Sequence, residues 1–199
     1  SAGSGFDLVQ NTTTKQEKIL SGGALIVQDS RVFSEFDGID DGYETVSTDT
    51  WANNPLTIFA DIRSKSAKNG LIVGNFSSTP TERMLNFKWN TSNKIYAGVS
   101  AEDGILGSES ESAVQSLNTN IDTVLISNAT ETKVIANGTE GTPKTPPSPR
   151  PTDNRTIQHG NLTDYPANCI DGYNSYLILY KTDESANVTD INSYITPFL

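Results

Sequence analysis

Residues Leu85-Asn86-Phe87-Lys88-Trp89 carry the reading that decides the fold. Along an extended chain Leu85, Phe87 and Trp89 point one way, and Asn86, Lys88 and Asn90 point the other. This is the two-residue period of a half-buried strand. Working outward, the alternation returns in Leu56, Ile58, Ala60 and Ile62, set against Thr57, Asp61 and Arg63. Further short apolar runs lie at 24–28, 31–36, 71–76, 94–100, 121–127 and 133–136, separated by Gly, Asn, Asp, Ser and Pro. Tyr176-Leu177-Ile178-Leu179-Tyr180 is almost continuously apolar and reads as a central strand covered on both faces. Asn90-Thr91-Ser92-Asn93 and Asn128-Ala129-Thr130-Glu131 carry turn chemistry and predict antiparallel hairpins.

Helical periodicity is confined to one late segment. There Thr189 is the expected cap, Asp190 sits in the first turn, Ile191, Tyr194 and Ile195 share a face, and Pro197 stops it. The pattern predicts an all-β, two-sheet antiparallel jelly-roll sandwich with one short C-terminal helical turn. Its expected core is Leu56, Ile58, Ile62, Leu85, Phe87, Trp89, Leu177 and Leu179. The Ser/Glu-rich stretch Ser100 to Asn118 reads as a solvated loop. Gly141 to Arg155 holds five of the nine prolines and cannot be an inner strand. His159, beside Gly160, reads as a loop residue.

The 199 residues suit one domain, expected over 20–199, preceded by a linker or N-terminal arm over 1–19. Against 24 acidic residues stand 14 Lys and Arg, for a net charge of -10. That sign excludes a phosphate-tracking nucleic-acid binder and disfavours an anionic membrane surface. Cys169 is the single cysteine, so no intrachain disulfide and no CxxC motif exists. No apolar run approaches the roughly 18 residues of a spanning helix, and membrane insertion is not expected. Without a signal region in the given sequence, the expectation is a chain made in the bacterial cytoplasm. Asn-x-Ser/Thr triplets recur, for example at Asn90 and Asn137; many follow from composition alone.

Hydrolytic chemistry finds little support. A glycosidase pair needs two carboxylates across the scissile bond, and Glu35-Phe36-Asp37-Gly38-Ile39 has Ile39 where a third alternating carboxylate would stand. His159 is the only histidine, and no Gly-x-Ser-x-Gly elbow occurs. No catalytic residue is assigned. Asp37, Asp40, Asp41 and Glu44, set around two glycines, are candidate ligands for Ca²⁺, which takes several hard oxygens on a flexible loop. The alternative is an Asp/Gly turn formed for backbone reasons.

Several stretches together resemble the concanavalin A-like, laminin-G-type jelly roll. They are Leu56 to Arg63, then Thr123-Val124-Leu125-Ile126 with Lys133-Val134-Ile135-Ala136-Asn137-Gly138, and finally Asp171-Gly172 leading into Tyr176 to Tyr180 and the segment Asp190 to Tyr194. Their order matches over roughly 20–199; Asp61 stands where many relatives carry Trp. The acidic, Asn/Thr/Ser-rich character also looks like tail or baseplate adhesion modules of bacteriophages infecting Gram-positive bacteria. The resemblance implies a non-catalytic carbohydrate-binding module on a virion, recognising cell-wall or cell-surface saccharides beside other virion proteins. The alternative is a structural or protein-interaction domain with no glycan ligand.

Sugar recognition needs an aromatic platform and a few fixed polar groups. Asp61 and Arg63 on one strand, Asn86 and Lys88 on another, and Tyr96 on the adjoining hairpin arm form a candidate polar strand face. A solvated outer face is the alternative reading. Trp51, Tyr43 and Tyr173 are candidates in rim loops.

Overall fold

A computed structural model describes residues 8–9, 16–21, 23–28, 31–45, 55–75, 85–99, 109–148, 156–160 and 169–195. Within these the order is β1 (Leu8–Val9), β2 (Leu20–Ser21), β3 (Ala24–Leu25), β4 (Val27–Gln28), β5 (Arg31–Val32), β6 (Ser34–Asp37), β7 (Tyr43–Thr45), β8 (Leu56–Ser64) and β9 (Gly70–Asn75). Then come β10 (Leu85–Trp89), β11 (Ile95–Val99), β12 (Ser110–Glu111), β13 (Ile121–Ser127), β14 (Thr132–Ala136), β15 (Thr139–Glu140), β16 (Gln158–His159), β17 (Asp171–Tyr180) and α1 (Val188–Ile195).

Two antiparallel sheets pack face to face, as the alternation predicts. One runs β1-β7-β16-β9-β10-β11-β12 and the other β15-β14-β13-β8-β17-β6. Leu8–Val9, inside the segment read as an arm, pairs with β7 and forms the edge of the first sheet. Leu56, Ile58, Ile62, Leu85, Phe87 and Trp89 are buried in the shared core, with Leu177 and Leu179 packed against it. Two further short ribbons, β2-β3 and β4-β5, lie in the chain between β1 and β6.

The turns behave as their residues dictate. Asn90 Oδ1 accepts from the backbone N–H of Ser92 and Lys94 at 3.0 and 2.9 Å, closing the β10–β11 hairpin. Asn128 Oδ1 accepts from Thr130 and Glu131 N–H at 3.0 and 2.9 Å, closing β13–β14. Asn137 and Gly138 both take positive φ, 48° and 74°, the pair that a two-residue hairpin between β14 and β15 demands. Gly172 is required by a close approach: a Cβ there would lie 2.2 Å from the Arg63 carbonyl oxygen.

Four expectations need correction. First, β17 is not covered throughout. Its Asp171–Asn174 half pairs with β6 and β8, whereas Tyr176–Tyr180 pairs with β8 alone and is half-buried. The strand covered on both faces is β8, because β13 and β17 flank it and Thr57, Phe59 and Asp61 on its outer face are fully buried. Second, part of the stretch read as a solvated loop is structured. Ser110 and Ser112 are buried, and their hydroxyls accept from Val134 N–H at 3.1 Å and Ile95 N–H at 3.0 Å. A serine oxygen there supplies the acceptor that a missing strand neighbour would have provided. Third, α1 begins two residues earlier than expected, with Asn187 O accepting from Ile191 N–H at 2.9 Å. Fourth, His159 is in β16 between β7 and β9, 4% exposed. Its Nδ1 lies 2.6 Å from Ile72 O and its ring meets Phe36 edge-on. Burial pushes its pKa below the ordinary value.

Candidate functional site

The residues read as one polar strand face lie on opposite sides of the molecule. Asp61 and Arg63 alternate with core residues of β8 and so belong to the outer face of the six-stranded sheet. Asn86, Lys88 and Tyr96 alternate with Leu85, Phe87, Ile95 and Ala97 and belong to the outer face of the seven-stranded sheet. Both sets do face away from the core, as expected, but the whole sandwich separates them.

Asp61 is fully buried rather than offered to solvent. Its Oδ2 accepts from Arg31 Nη1 at 2.8 Å and from Ser175 Oγ at 2.5 Å. Burial pushes the carboxyl up, against the downward pull of Ser175 and Arg31. Asp122 joins the cluster, with Arg31 Nη1 at 3.3 Å and the Tyr176 hydroxyl at 3.3 Å. This carboxylate anchors the β4–β5 ribbon to the sheet. Arg63 pairs in register with Tyr173. Tyr173 stands in β17, not in a rim loop, with Lys65 Nζ 5.1 Å from its ring centroid and Phe33 against its edge.

Asn86, Lys88 and Tyr96 do come together, and with carboxylates. Asn86 is 1% exposed and donates to Glu109. Lys88 Nζ lies 3.4 Å from Glu109 Oε1 and 5.7 Å from the Tyr96 ring centroid. The Tyr96 hydroxyl donates to Glu111, which raises the phenol and lowers the acid. Every polar member named here is engaged by another. Tyr43 belongs to β7, half-buried, and burial beside Glu17 pushes its hydroxyl up to about 12. Trp51 lies outside the described residues.

Asp37, Asp40 and Asp41 bring one carboxylate oxygen each to within 4.8 Å of one another, a spacing that could hold a divalent cation. Glu44 is not in that group; it sits in β7, opposite Val9 and Gln158. The loop also realises the turn reading. Asp37 Oδ1 accepts from Ile39 N–H at 2.7 Å, and Asp41 Oδ2 accepts from Asp37 N–H at 2.8 Å.

An apolar groove on one outer face is a feature that no motif indicated. The outer face of the six-stranded sheet carries a second apolar cluster of Phe59, Val124, Ile126 and Ile135, over which Tyr176, Ile178, Tyr180, Val188 and Ile191 pack. Between β17 and α1 this cluster opens into a groove of about 750 Å³. Tyr176, Ile178 and Tyr180 form one wall, Ile191, Tyr194 and Ile195 the other, and Ser175, Glu184, Asn187 and Asp190 the rim. Tyr180 is held edge-on against Phe59 at 6.0 Å between centroids, whereas Tyr194 is 74% exposed. The connecting loop is pinned from below by buried Thr57, whose Oγ1 donates to Thr182 O at 3.0 Å and accepts from Glu184 N–H at 2.9 Å. Rigid tyrosine faces beside a few fixed polar groups are what a small polar ligand with an apolar face requires. One signal in the sequence pointed here: tyrosine rather than leucine at 176 and 180, alternating with the core residues Leu177 and Leu179.

No protein-family model and no curated protein sequence matches the chain. Solved structures do. The native heptameric SAP-like pentraxin of Limulus polyphemus is 13% identical with a TM-score of 0.60, over 79% of this chain and 79% of that one. The CBM40 of Ruminococcus gnavus IT-sialidase, bound to α2,3-sialyllactose, is 15% identical with a TM-score of 0.57, over 76% of this chain and 92% of the module. Trypanosoma rangeli sialidase is 14% identical with a TM-score of 0.56 over 75% of this chain, which spans about a quarter, 25%, of the enzyme. At such identities the likeness is one of fold. The chain is a two-sheet jelly-roll sandwich, an architecture shared with a sugar-binding module and with part of an enzyme.

Proposed function

We propose that the chain is a non-catalytic carbohydrate-binding module and that the tyrosine-walled groove between β17 and α1 is its site. The observation that carries this is the pairing of pre-positioned aromatic faces with polar rim groups in a groove of about 750 Å³. The likeness to a module bound to sialyllactose supports the ligand class. Neither the single histidine nor the single cysteine is poised for catalysis: His159 is buried in the core, and burial pushes the Cys169 thiol up to about 11. The wider setting proposed is a virion tail or baseplate, where many weak sites act together. A shallow groove of this kind binds with a dissociation constant around 10⁻⁵–10⁻³ M, and multivalency supplies the rest. Titration against a broad glycan panel tests the reading: saturable binding lost in Tyr194→Ala supports it, and a flat response across the panel overturns it.

The runner-up, a protein-interaction domain, has its own observation. Ile19, Leu20, Leu25, Val27 and Val32, all in or next to the segment of β2–β5, are each 47–55% exposed. A Ca²⁺ ion on Asp37, Asp40 and Asp41 is a separate proposal. Millimolar Ca²⁺ should then raise the melting temperature over that in chelator, and an unchanged temperature leaves the loop a plain turn.

A further inference from the structure

Resting on the groove being the glycan site, we propose that it selects saccharides carrying a free, protonated amino group over neutral and sialylated ones. Two of its four described polar rim groups, Glu184 and Asp190, are carboxylates, and no lysine or arginine is among the described residues that line it. Arg31 and Lys133, on the same sheet, are committed elsewhere, and neither Arg63 of β8 nor Lys181, which follows Tyr180, is among the described lining residues. Arg31 bonds Asp61 and Asp122 at 2.8 and 3.3 Å, and Lys133 bonds Glu131 and Glu140 at 3.1 and 3.0 Å.

Glu184 is pre-positioned and its charge is left standing. Its Oε1 accepts from Thr182 Oγ1 at 2.5 Å and its Oε2 from Asn187 Nδ2 at 2.7 Å. Both donors are neutral, so they orient the carboxylate without cancelling it. They also hold it below the ordinary carboxylate range, so it stays ionised in mildly acidic solution. A cationic group meeting this rim gains a charge-assisted hydrogen bond, and the tyrosine faces of Tyr180 and Tyr194 add cation–π attraction. A sialic acid carboxylate meeting the same rim is repelled.

The test is calorimetric titration of the whole chain at mildly acidic pH with two β1,4-linked glucosamine tetramers, one fully N-acetylated and one fully de-acetylated. Lactose, sialyllactose and a lysine tetrapeptide are the companions. At low salt the de-acetylated tetramer should bind about 10-fold tighter than the acetylated one, and molar salt should shrink the ratio to within about twofold. Sialyllactose should bind more weakly than lactose. In Glu184→Gln combined with Asp190→Asn the ratio of the two tetramers should fall toward one. Equal affinities at low salt, or a ratio unmoved by the double substitution, overturn the amine preference while leaving the groove a glycan site. A lysine tetrapeptide that binds as tightly as the de-acetylated sugar overturns the saccharide class. Binding of none of the sugars overturns both this inference and the reading on which it rests.

Discussion

On the outer face of the seven-stranded sheet, Asn86, Lys88, Tyr96, Glu109 and Glu111 bond one another; on the outer face of the six-stranded sheet, Tyr176, Tyr180 and Tyr194 wall a groove. The first face looks rich in ligand chemistry, but its polar groups are already engaged with one another. A ligand there must replace hydrogen bonds the protein already makes to itself, which returns little net free energy. The groove instead presents apolar surface whose removal from water is favourable at roughly 25 cal/mol per Å². Polar residues already satisfied by each other describe a finished surface, whereas an aromatic wall facing solvent describes an unfinished one.

The largest difference between the two faces is expected at Phe59. This side chain is fully buried beneath Tyr180, and Phe59→Ala should cost about 3–5 kcal/mol in denaturant unfolding and abolish glycan binding with it. The equivalent loss on the other face, Lys88→Ala, removes a pair that is 24% and 19% exposed at its two ends. It should cost under about 1 kcal/mol and leave glycan titrations unaltered. If Lys88→Ala instead abolishes binding, the polar strand face is the site and the groove is not.

Asp61 sharpens the contrast from within the groove's own sheet. Asp61→Ala strands Arg31 without its closest carboxylate and should cost about 3 kcal/mol, read by chemical denaturation. Asp61→Asn keeps a hydrogen-bonding shape and relieves a buried charge, so it should cost less than half as much.

A smaller effect follows from His159, which lies between the two faces. Its folded pKa lies below the ordinary 6.5 because burial opposes the charged ring. Below pH 6.5 the unfolded chain therefore binds a proton that the folded chain resists. Stability held above that pH is lost as pH falls from 6.5 toward the folded value. Melting temperatures recorded across that interval should decline for the natural chain and flatten in a stable variant lacking the imidazole. A decline of equal slope in both assigns it to the carboxylates.

Much of the fold was legible because a two-residue alternation says which side of a strand meets the core. Leu85, Phe87 and Trp89 needed no further information, and neither did the turns at Asn90 and Asn128. The candidate site was not legible in the same way. Periodicity separates inward from outward residues but does not say what covers the outward ones. Thr57, Phe59 and Asp61 are therefore buried under a loop, a helix and an arginine that the local sequence does not announce. Likewise Ser110 and Ser112 read as solvated until their hydroxyls are seen closing backbone bonds of neighbouring strands.

By itself the sequence determined the class of fold, the faces of its long strands and its hairpin turns, since these depend on residues near one another in the chain. Only the tertiary structure decided that Asp61 and Lys88 stand on opposite faces and that the three acids of 37–41 converge without Glu44. It also decided that Tyr176 and Tyr180 share a groove with Tyr194 fourteen residues further on. Those relations are set by sheet order and by where a single helix lands, and both are fixed by the packing of the whole chain rather than by any segment of it.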